Sequence, residues 1–422
     1  MATEKKLHTI IIGAGTTGLL VAQGLKKANL PYSLYEYETD TSYQTRPREW
    51  GMTLHWGSEH VSNCLPPELV ARLSETYADA SIDPTSVKGL PIYNGKTGEQ
   101  IMVMAAANPC RVSRKKLRNL FKEGLDVHYG KELVSVSIEA VEGEEGEKVV
   151  AVFKDGSKAV GDVLVGCDGA RSTARECIVG KEAAGLTEVP LTMFNFTTKF
   201  PAELAEKVRG LSPLFVSAIH PDHGSMFWTS IQDVPSPDPS TWLFQVLMSW
   251  THDPLPSHLQ TYADRMAFFK SRSETYAEPW RSLGAAVPTS TNLPMDPGTL
   301  WEKASKWDNR DGRLTLCGDA AHPMTPHRGQ GLNNALQDAS NLVAALITAS
   351  TNSSLAAAID AYDAEVLARG TTEMQISYKQ SMFIHSWETL MQSPMVKMGM
   401  HQAKKEEGGE GDAATAGAEE AK

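Results

Sequence analysis

Five cysteines in 422 residues are too few for a disulfide framework to hold a chain this long. Cys64, Cys110, Cys167, Cys177 and Cys317 show no paired metal-ligand spacing, so they read as reduced thiols. Positive charge is also scarce. The formal net charge is −11, and residues 403–422, with six acids and three bases, account for only −3 of it. A nucleic-acid partner, which requires a basic face, is therefore not expected. No apolar run approaches the roughly 20 residues of a transmembrane segment. Residues 1–7 are too polar for a signal peptide, and the expected location is cytoplasmic. No internal repeat is visible. Hydrophobic content of 41% and charged content of 22% are those of an ordinary globular protein with a large core.

The most informative segment present is 317–339, CGDAAHPMTPHRGQGLNNALQDA. An apolar run, Leu314-Thr315-Leu316-Cys317, ends in Gly318-Asp319. Pro323, Pro326, Gly329 and Gly331 then bend a loop, and Leu332, Ala335, Leu336, Ala339, Leu342, Val343 and Leu346 follow at helical spacing. A carboxylate at a strand tip accepts hydrogen bonds from hydroxyls, and the exposed amides of the helix start hold negative charge. The N-terminus repeats this logic. Residues 8–12 read as a buried strand, Gly13-Ala14-Gly15-Thr16-Thr17-Gly18 as a turn, 19–28 as a helix and 32–35 as a second strand ending at Glu36. Such glycines let the backbone approach a pyrophosphate, and an acid 23 positions beyond Gly13 can bind ribose hydroxyls.

Between these blocks, within residues 108–121, Arg111, Arg114 and Leu117 lead into a short basic helix with Leu117, Leu120 and Phe121 on its buried side. Lys115, Lys116 and Arg118 read as solvated surface, whereas Arg114, one turn before Leu117, is placed to meet a phosphate. Strands follow at 133–138, 149–153 and 159–167, with Asp155-Gly156 as a hairpin turn. The last of them ends in Asp168-Gly169, ahead of a helix N-capped by Ser172. Residues 186–301 alternate aromatic and polar residues and read as an antiparallel sheet. Their Phe194, Phe196, Phe227, Trp228, Trp242, Phe244 and Trp250 suit either core packing or a ligand cavity. A helix at 355–368 and a helical segment at 377–400, with Met395 and Met398 near its end, pack on the body. The tail beyond 403 lacks aromatics and is expected to be disordered.

Three blocks, GAGTTG with Glu36, VGCDGARSTAR at 165–175 and CGDAAHPMTPHRGQG at 317–331, resemble the single-component FAD-dependent aromatic hydroxylases of the p-hydroxybenzoate hydroxylase type, with a flavour of fungal secondary metabolism. The resemblance implies an α/β fold, a Rossmann-type FAD-binding domain interrupted by a mixed β-sheet substrate domain and followed by C-terminal helices. It divides the chain into FAD-binding parts at 1–75, 109–185 (with a β-meander) and 302–350, and substrate-domain parts at 76–108 and 186–301. Helices at 351–402 and the acidic tail 403–422 complete it. By position, Gly13, Gly15 and Gly18 wrap the FAD pyrophosphate, Glu36 takes the adenosine ribose and Arg114 the ribose–phosphate stretch. Asp319 meets the ribityl side, and the amides of Gly331, Leu332 and Asn333 face the pyrimidine edge of the isoalloxazine. Asp168 supports both FAD and NADPH, and Gly51 closes a mobile loop in which either Arg46 or Arg48 contacts FAD.

The activity so implied is a monooxygenase reaction. NADPH or NADH reduces FAD, molecular oxygen is trapped as a flavin C4a-hydroperoxide, and the substrate is hydroxylated or epoxidised. No triad is needed and no catalytic residue is assigned. His322 reads as a support for Asp319, and His220 with His223 as a polar turn without metal. The same motifs would serve a flavoprotein dehydrogenase or reductase lacking the oxygen step, or a non-catalytic flavin-binding scaffold. The Trp-x-Trp-x-Ile-Pro element of flavin-dependent halogenases is missing. The aromatic runs of 186–301 hold no convergent arginine, so the expected substrate is a largely neutral, apolar or aromatic small molecule of polyketide or terpenoid character beneath an apolar sheet face.

Overall fold

The computed structural model describes residues 7–393 other than 47, 88, 107, 252–258 and 352–353. The tail 403–422, with Met395 and Met398, lies outside the described residues. A four-stranded parallel sheet runs in the order Leu314–Leu316, Val163–Gly166, Thr9–Ile12, Tyr32–Tyr35. Every residue of the first three strands is buried, which explains their almost unbroken apolar character, because helices cover both faces of such a sheet. Helix Thr16–Lys27 connects the two N-terminal strands and packs on helix Gly331–Thr351.

A seven-stranded mixed sheet forms the second body, in the order Met295–Leu300, Thr187–Lys199, Leu243–Thr251, Ser225–Asp233, Phe215–His220, Gly89–Asn94, Gln100–Ala105. Its pairs are antiparallel except Phe215–His220 against Gly89–Asn94. A two-stranded ribbon, Gly51–Leu54 with Cys110–Ser113, joins the two bodies, and the meander Leu133–Ala140, Glu147–Phe153, Lys158–Gly161 flanks the parallel sheet. The architecture is thus α/β, a Rossmann-type sheet beneath a mixed one.

Four local expectations are corrected. The strand expected at 159–167 is two strands, Lys158–Gly161 in the meander and Val163–Gly166 in the parallel sheet. The chain changes sheet at Asp162, whose carboxylate accepts the His8 amide at 2.7 Å and pairs with the buried Lys148. The helices expected at 355–368 and from 377 are one, Leu355–Ile384, followed by Trp387–Gln392. Gly370 does not end the helix; it lets the helix lie on His322, whose ring a Cβ there would meet at 2.7 Å. Arg118, expected on the surface, is buried.

The fourth correction concerns the aromatic residues. Strand alternation does divide the mixed sheet into two faces. Phe194, Phe196, Phe227, Phe244 and Trp250, however, all share the face turned away from the parallel sheet. There they pack with Phe268 and Phe269 of helix Tyr262–Glu274 and with Tyr276 and Phe200. Trp242 lies at an edge under Arg209. Of the seven, only Trp228 is on the inner face, among Met193, Met226 and Leu247, with Ile384 and Leu390 packed over them.

Candidate cofactor and substrate site

The glycine turn is packed hard from below and open above. Gly13 has φ +102°, and a Cβ there would stand 2.6 Å from the Cys167 carbonyl oxygen; one on Gly18 would stand 2.0 Å from the Gly13 carbonyl. Gly15, by contrast, has nothing within 4 Å of an added Cβ. Glu36, buried at the tip of Tyr32–Tyr35, accepts the Ala14 amide at 2.8 Å and the Glu38 amide at 3.1 Å, and so fixes the turn from its side. Burial raises its pKa, while those two amides oppose the rise.

Asp319 follows the strand Leu314–Leu316. It is enclosed by protein yet reachable by solvent, the situation of a side chain on the floor of an open cleft. No hydrogen bond to its carboxylate is formed among the described residues, and burial raises its pKa against the pull of His322 and Arg114. Across the cleft, a Cβ on Gly331 would find only the Asp319 carboxylate at 3.9 Å and Met324 at 4.0 Å. In helix Gly331–Thr351 the first amide that finds a carbonyl is Asn334, so the amides of Gly331, Leu332 and Asn333 remain available. The Asn333 side chain is fully used. It accepts the His55 and Gly57 amides and donates to the carbonyls of Thr53 and Gly329, tying this helix to the loop after Gly51–Leu54.

Two arginines supply positive charge. Arg114 lies 4.2 Å over the Trp50 ring; its Nη1 is buried without a hydrogen bond, 3.8 Å from Glu49. Burial, with the neighbouring Arg118 and Arg46, lowers its pKa to about 10. Arg118 lies 4.2 Å over Tyr43, and its Nε and Nη1 also lack partners. Orphaned guanidinium groups beside an open glycine turn fit a pyrophosphate, the donor set matching the anion. Arg118 was missed in the sequence, although its position four residues after Arg114 puts both on one helix face. In the preceding loop, Arg46 pairs with Glu38 and Arg48 with Asp296, while the Gly51 amide donates to Gln245 at 2.7 Å. Asp168 turns its carboxylate onto Ser172 Oγ and the Ala174 amide, capping helix Thr173–Val179.

His322 faces away from the cleft. Its Nε2 meets Asp338 at 2.6 Å, and the same carboxylate oxygen accepts the Gly318 amide at 2.7 Å, so the pair braces the turn that presents Asp319. A second imidazole cluster joins three elements: Ser249 of the mixed sheet, His327 of the proline loop, and Ser381 with His385 near the end of helix Leu355–Ile384. His385 Nδ1 lies 2.6 Å from the Ser381 carbonyl and therefore carries a proton, and its Nε2 lies 2.8 Å from Ser249 Oγ. Ser249 Oγ also lies 3.0 Å from His327 Nε2, and His327 Nδ1 lies 3.0 Å from Ser381 Oγ, whose own proton goes to Thr325 Oγ1 or the Ser377 carbonyl.

Burial favours the neutral form of both rings. Burial pushes the His385 pKa down to about 4, and His327 lies in the same direction. A histidine pKa lowered on folding contributes stability that is present above its ordinary value near 6.5 and is lost as pH falls toward the folded value. Urea unfolding from pH 7 to pH 4 should therefore show native protein losing on the order of 3 kcal/mol more than His385→Gln. Parallel stability curves for the two proteins would contradict this assignment. His220 stacks on His223 at 4.2 Å, and no metal-ligand cluster occurs among the described residues.

A parallel sheet whose tips carry a glycine turn and Asp319, roofed by a mixed sheet, has the layout of a flavin-dependent oxidoreductase. The model of the FAD binding domain family matches residues 107–377. The chain is 39% identical over 419 residues to the FAD-dependent monooxygenase phnB of Penicillium herquei, covering 96% of this chain and 98% of that protein. To the FAD-dependent monooxygenase cctM of Talaromyces islandicus it is 36% identical over 398 residues, covering 94% and 97%. Among solved structures, Klebsiella pneumoniae HpxO complexed with FAD and uric acid shares the fold with TM-score 0.70 at 21% identity, over 96% of this chain and 94% of that one. The chain belongs to the FAD binding domain family and is an FAD-dependent monooxygenase. No described helix is long and apolar enough to cross a membrane.

Proposed function

We propose that this monooxygenase binds FAD noncovalently along the line from Gly13 past Asp319 to Gly331, takes reducing equivalents from NADPH or NADH, and adds one atom of O2 to an apolar, natural-product-like substrate by hydroxylation or epoxidation. The observation that carries the reading is Asp319, a carboxylate with no hydrogen bond among the described residues, under the influence of Arg114 and facing Gly331, whose amide is free with those of residues 332 and 333, while Gly15 leaves its own turn open. Bound FAD would supply the transfer of two electrons from nicotinamide to oxygen. Arg114 and Arg118 would hold its phosphates, Asp319 would accept from its ribityl hydroxyls, and Glu36 would sit at the adenosine ribose.

The remaining work of the chain is to hold a substrate carbon in place and keep water out. Met193, Met226, Leu247 and Trp228 on the inner sheet face, closed by Ile384 and Leu390, offer an apolar surface for both tasks. The test is anaerobic reduction of the FAD-loaded protein by NADPH and, separately, NADH, followed by an oxygen pulse with a panel of neutral polyketide- and terpenoid-like compounds. A transient absorbing species between the reduced and oxidised spectra is expected, with hydride consumption stimulated by members of the panel. Direct return to the oxidised spectrum with stoichiometric peroxide for every compound would refute the proposal, as would stimulation by simple hydroxybenzoates alone.

A further inference from the structure

Met324, in the proline loop that leads from Asp319 to Gly331, is a half-buried thioether beside the cofactor cleft. A Cβ on Gly331 would have Met324 Cγ at 4.0 Å and Asp319 Oδ1 at 3.9 Å, so the methionine and the carboxylate flank the same space. The Met324 side chain packs on the apolar group of Val189, Leu191, Leu300 and Met374, and Ser377 Oγ donates to its sulfur at 3.5 Å. The sulfur is therefore anchored while part of the side chain stays open.

A thioether and a thiol are protected from oxidants in different ways. A thiol reacts as its thiolate, so burial disarms it. Cys317, just before Gly318-Asp319, is buried, which pushes its pKa well up, and Cys167 at the end of the neighbouring strand is buried too. A methionine sulfur needs no deprotonation and takes up oxygen wherever an oxidant reaches it. Met193 and Met226 of the inner sheet face are only 5% and 6% exposed. Met324 combines access with a place next to the carboxylate that faces the cofactor.

We propose that Met324 is an oxidation site through which the enzyme weakens its own hold on FAD when oxygen is consumed without substrate. Oxygen that takes two electrons and two protons from reduced cofactor, with no substrate to accept an atom of it, leaves as hydrogen peroxide. The peroxide passes one oxygen atom to the Met324 sulfur. Its O–O bond breaks, an S–O bond forms, the sulfur is oxidised by two electrons and water leaves. The sulfoxide is polar, and Val189, Leu191, Leu300 and Met374 offer its oxygen no partner. The new oxygen turns to the cleft, where its partial negative charge stands beside Asp319 and intrudes on the space for the cofactor. The proposal rests on the reading of the space between Asp319 and Gly331 as part of the FAD site.

The test photoreduces FAD-loaded protein with EDTA under nitrogen and reopens it to air over repeated cycles, with catalase present to remove peroxide that escapes. Neither nicotinamide nor substrate takes part, so the result is independent of the proposed reductant and reaction. Peptide mass spectrometry should find one added oxygen on Met324 and none on Met391, a half-buried methionine of helix Trp387–Gln392. FAD affinity should fall about fivefold as the sulfoxide accumulates. Met324→Leu, a volume-conserving change, should start near native FAD affinity and keep it through the cycles. An unmodified Met324, or a Met391 oxidised as readily, overturns the proposal. So does sulfoxide at Met324 with unchanged FAD affinity, the result if Ser377 alone takes up the new oxygen, and so does equal FAD loss in Met324→Leu. Purified protein that retains no FAD before any cycling would overturn the cofactor reading itself and this proposal with it.

Discussion

Asp319→Asn should emerge from purification largely stripped of FAD, and its cofactor-free form should unfold at a higher temperature than the native apoprotein. Both effects come from one carboxylate that has no hydrogen bond among the described residues. Hydrogen bonds to a charged acceptor contribute about 1.5–3 kcal/mol, so removing the charge should weaken FAD binding roughly tenfold to a hundredfold. Without cofactor the same charge is a liability. Burial raises the Asp319 pKa in the fold, which makes the ionised form the disfavoured one. The penalty is absent below the ordinary carboxylate value near 4 and complete once pH exceeds the raised folded value. The gain in apoprotein stability should therefore be present at neutral pH and fade toward pH 4. Calorimetry of native and variant apoprotein across that range, with FAD titrations at neutral pH, tests both halves. Unchanged FAD affinity would remove Asp319 from the site, and an apoprotein less stable than native would show that the carboxylate has a structural partner.

The second large effect is expected at Gly18. A single added methyl there would stand 2.0 Å from the Gly13 carbonyl oxygen and 3.2 Å from the Cys167 Cβ. Neither neighbour can rotate away, because one is backbone of the turn and the other lies in the buried sequence between the parallel sheet and Asp168. Overpacking of a tight core typically costs 1–3 kcal/mol, and a clash against backbone belongs at or above the upper end, so Gly18→Ala should lose about 3 kcal/mol. It should also lose FAD, because the displaced segment is the one that leaves Gly15 open. Gly15→Ala provides the contrast. Its methyl would meet nothing of the protein, so stability should hold while FAD affinity falls. Equal destabilisation by the two substitutions would show that the turn is packed differently.

Much of the cofactor half was legible because its signals are local. A buried parallel strand has to be apolar throughout, a glycine turn and a tip carboxylate stand next to it in the chain, and the helix that follows announces itself by period. Tyr32–Tyr35 falls where the pattern puts it. Signals that depend on a partner distant in sequence were misread. The break assumed near Ala368 is a glycine that serves His322, nearly fifty residues upstream. Arg118 looks like surface in a basic helix, and only the ring of Tyr43 from another segment makes it a buried one.

The sequence by itself determined the α/β class, the FAD motifs and the family, because these lie in short contiguous blocks whose backbone geometry their own residues dictate. Tertiary structure alone decided which face of the mixed sheet looks at the cofactor domain. Alternation says that the faces differ, but helix Tyr262–Glu274 had to claim one of them before the aromatics became core and Met193, Met226 and Leu247 became the inner wall. It also decided where Arg111 stands. Its contacts come from residues more than fifty and more than a hundred positions away, and no local pattern marks a charge whose environment is assembled by the pairing of distant strands.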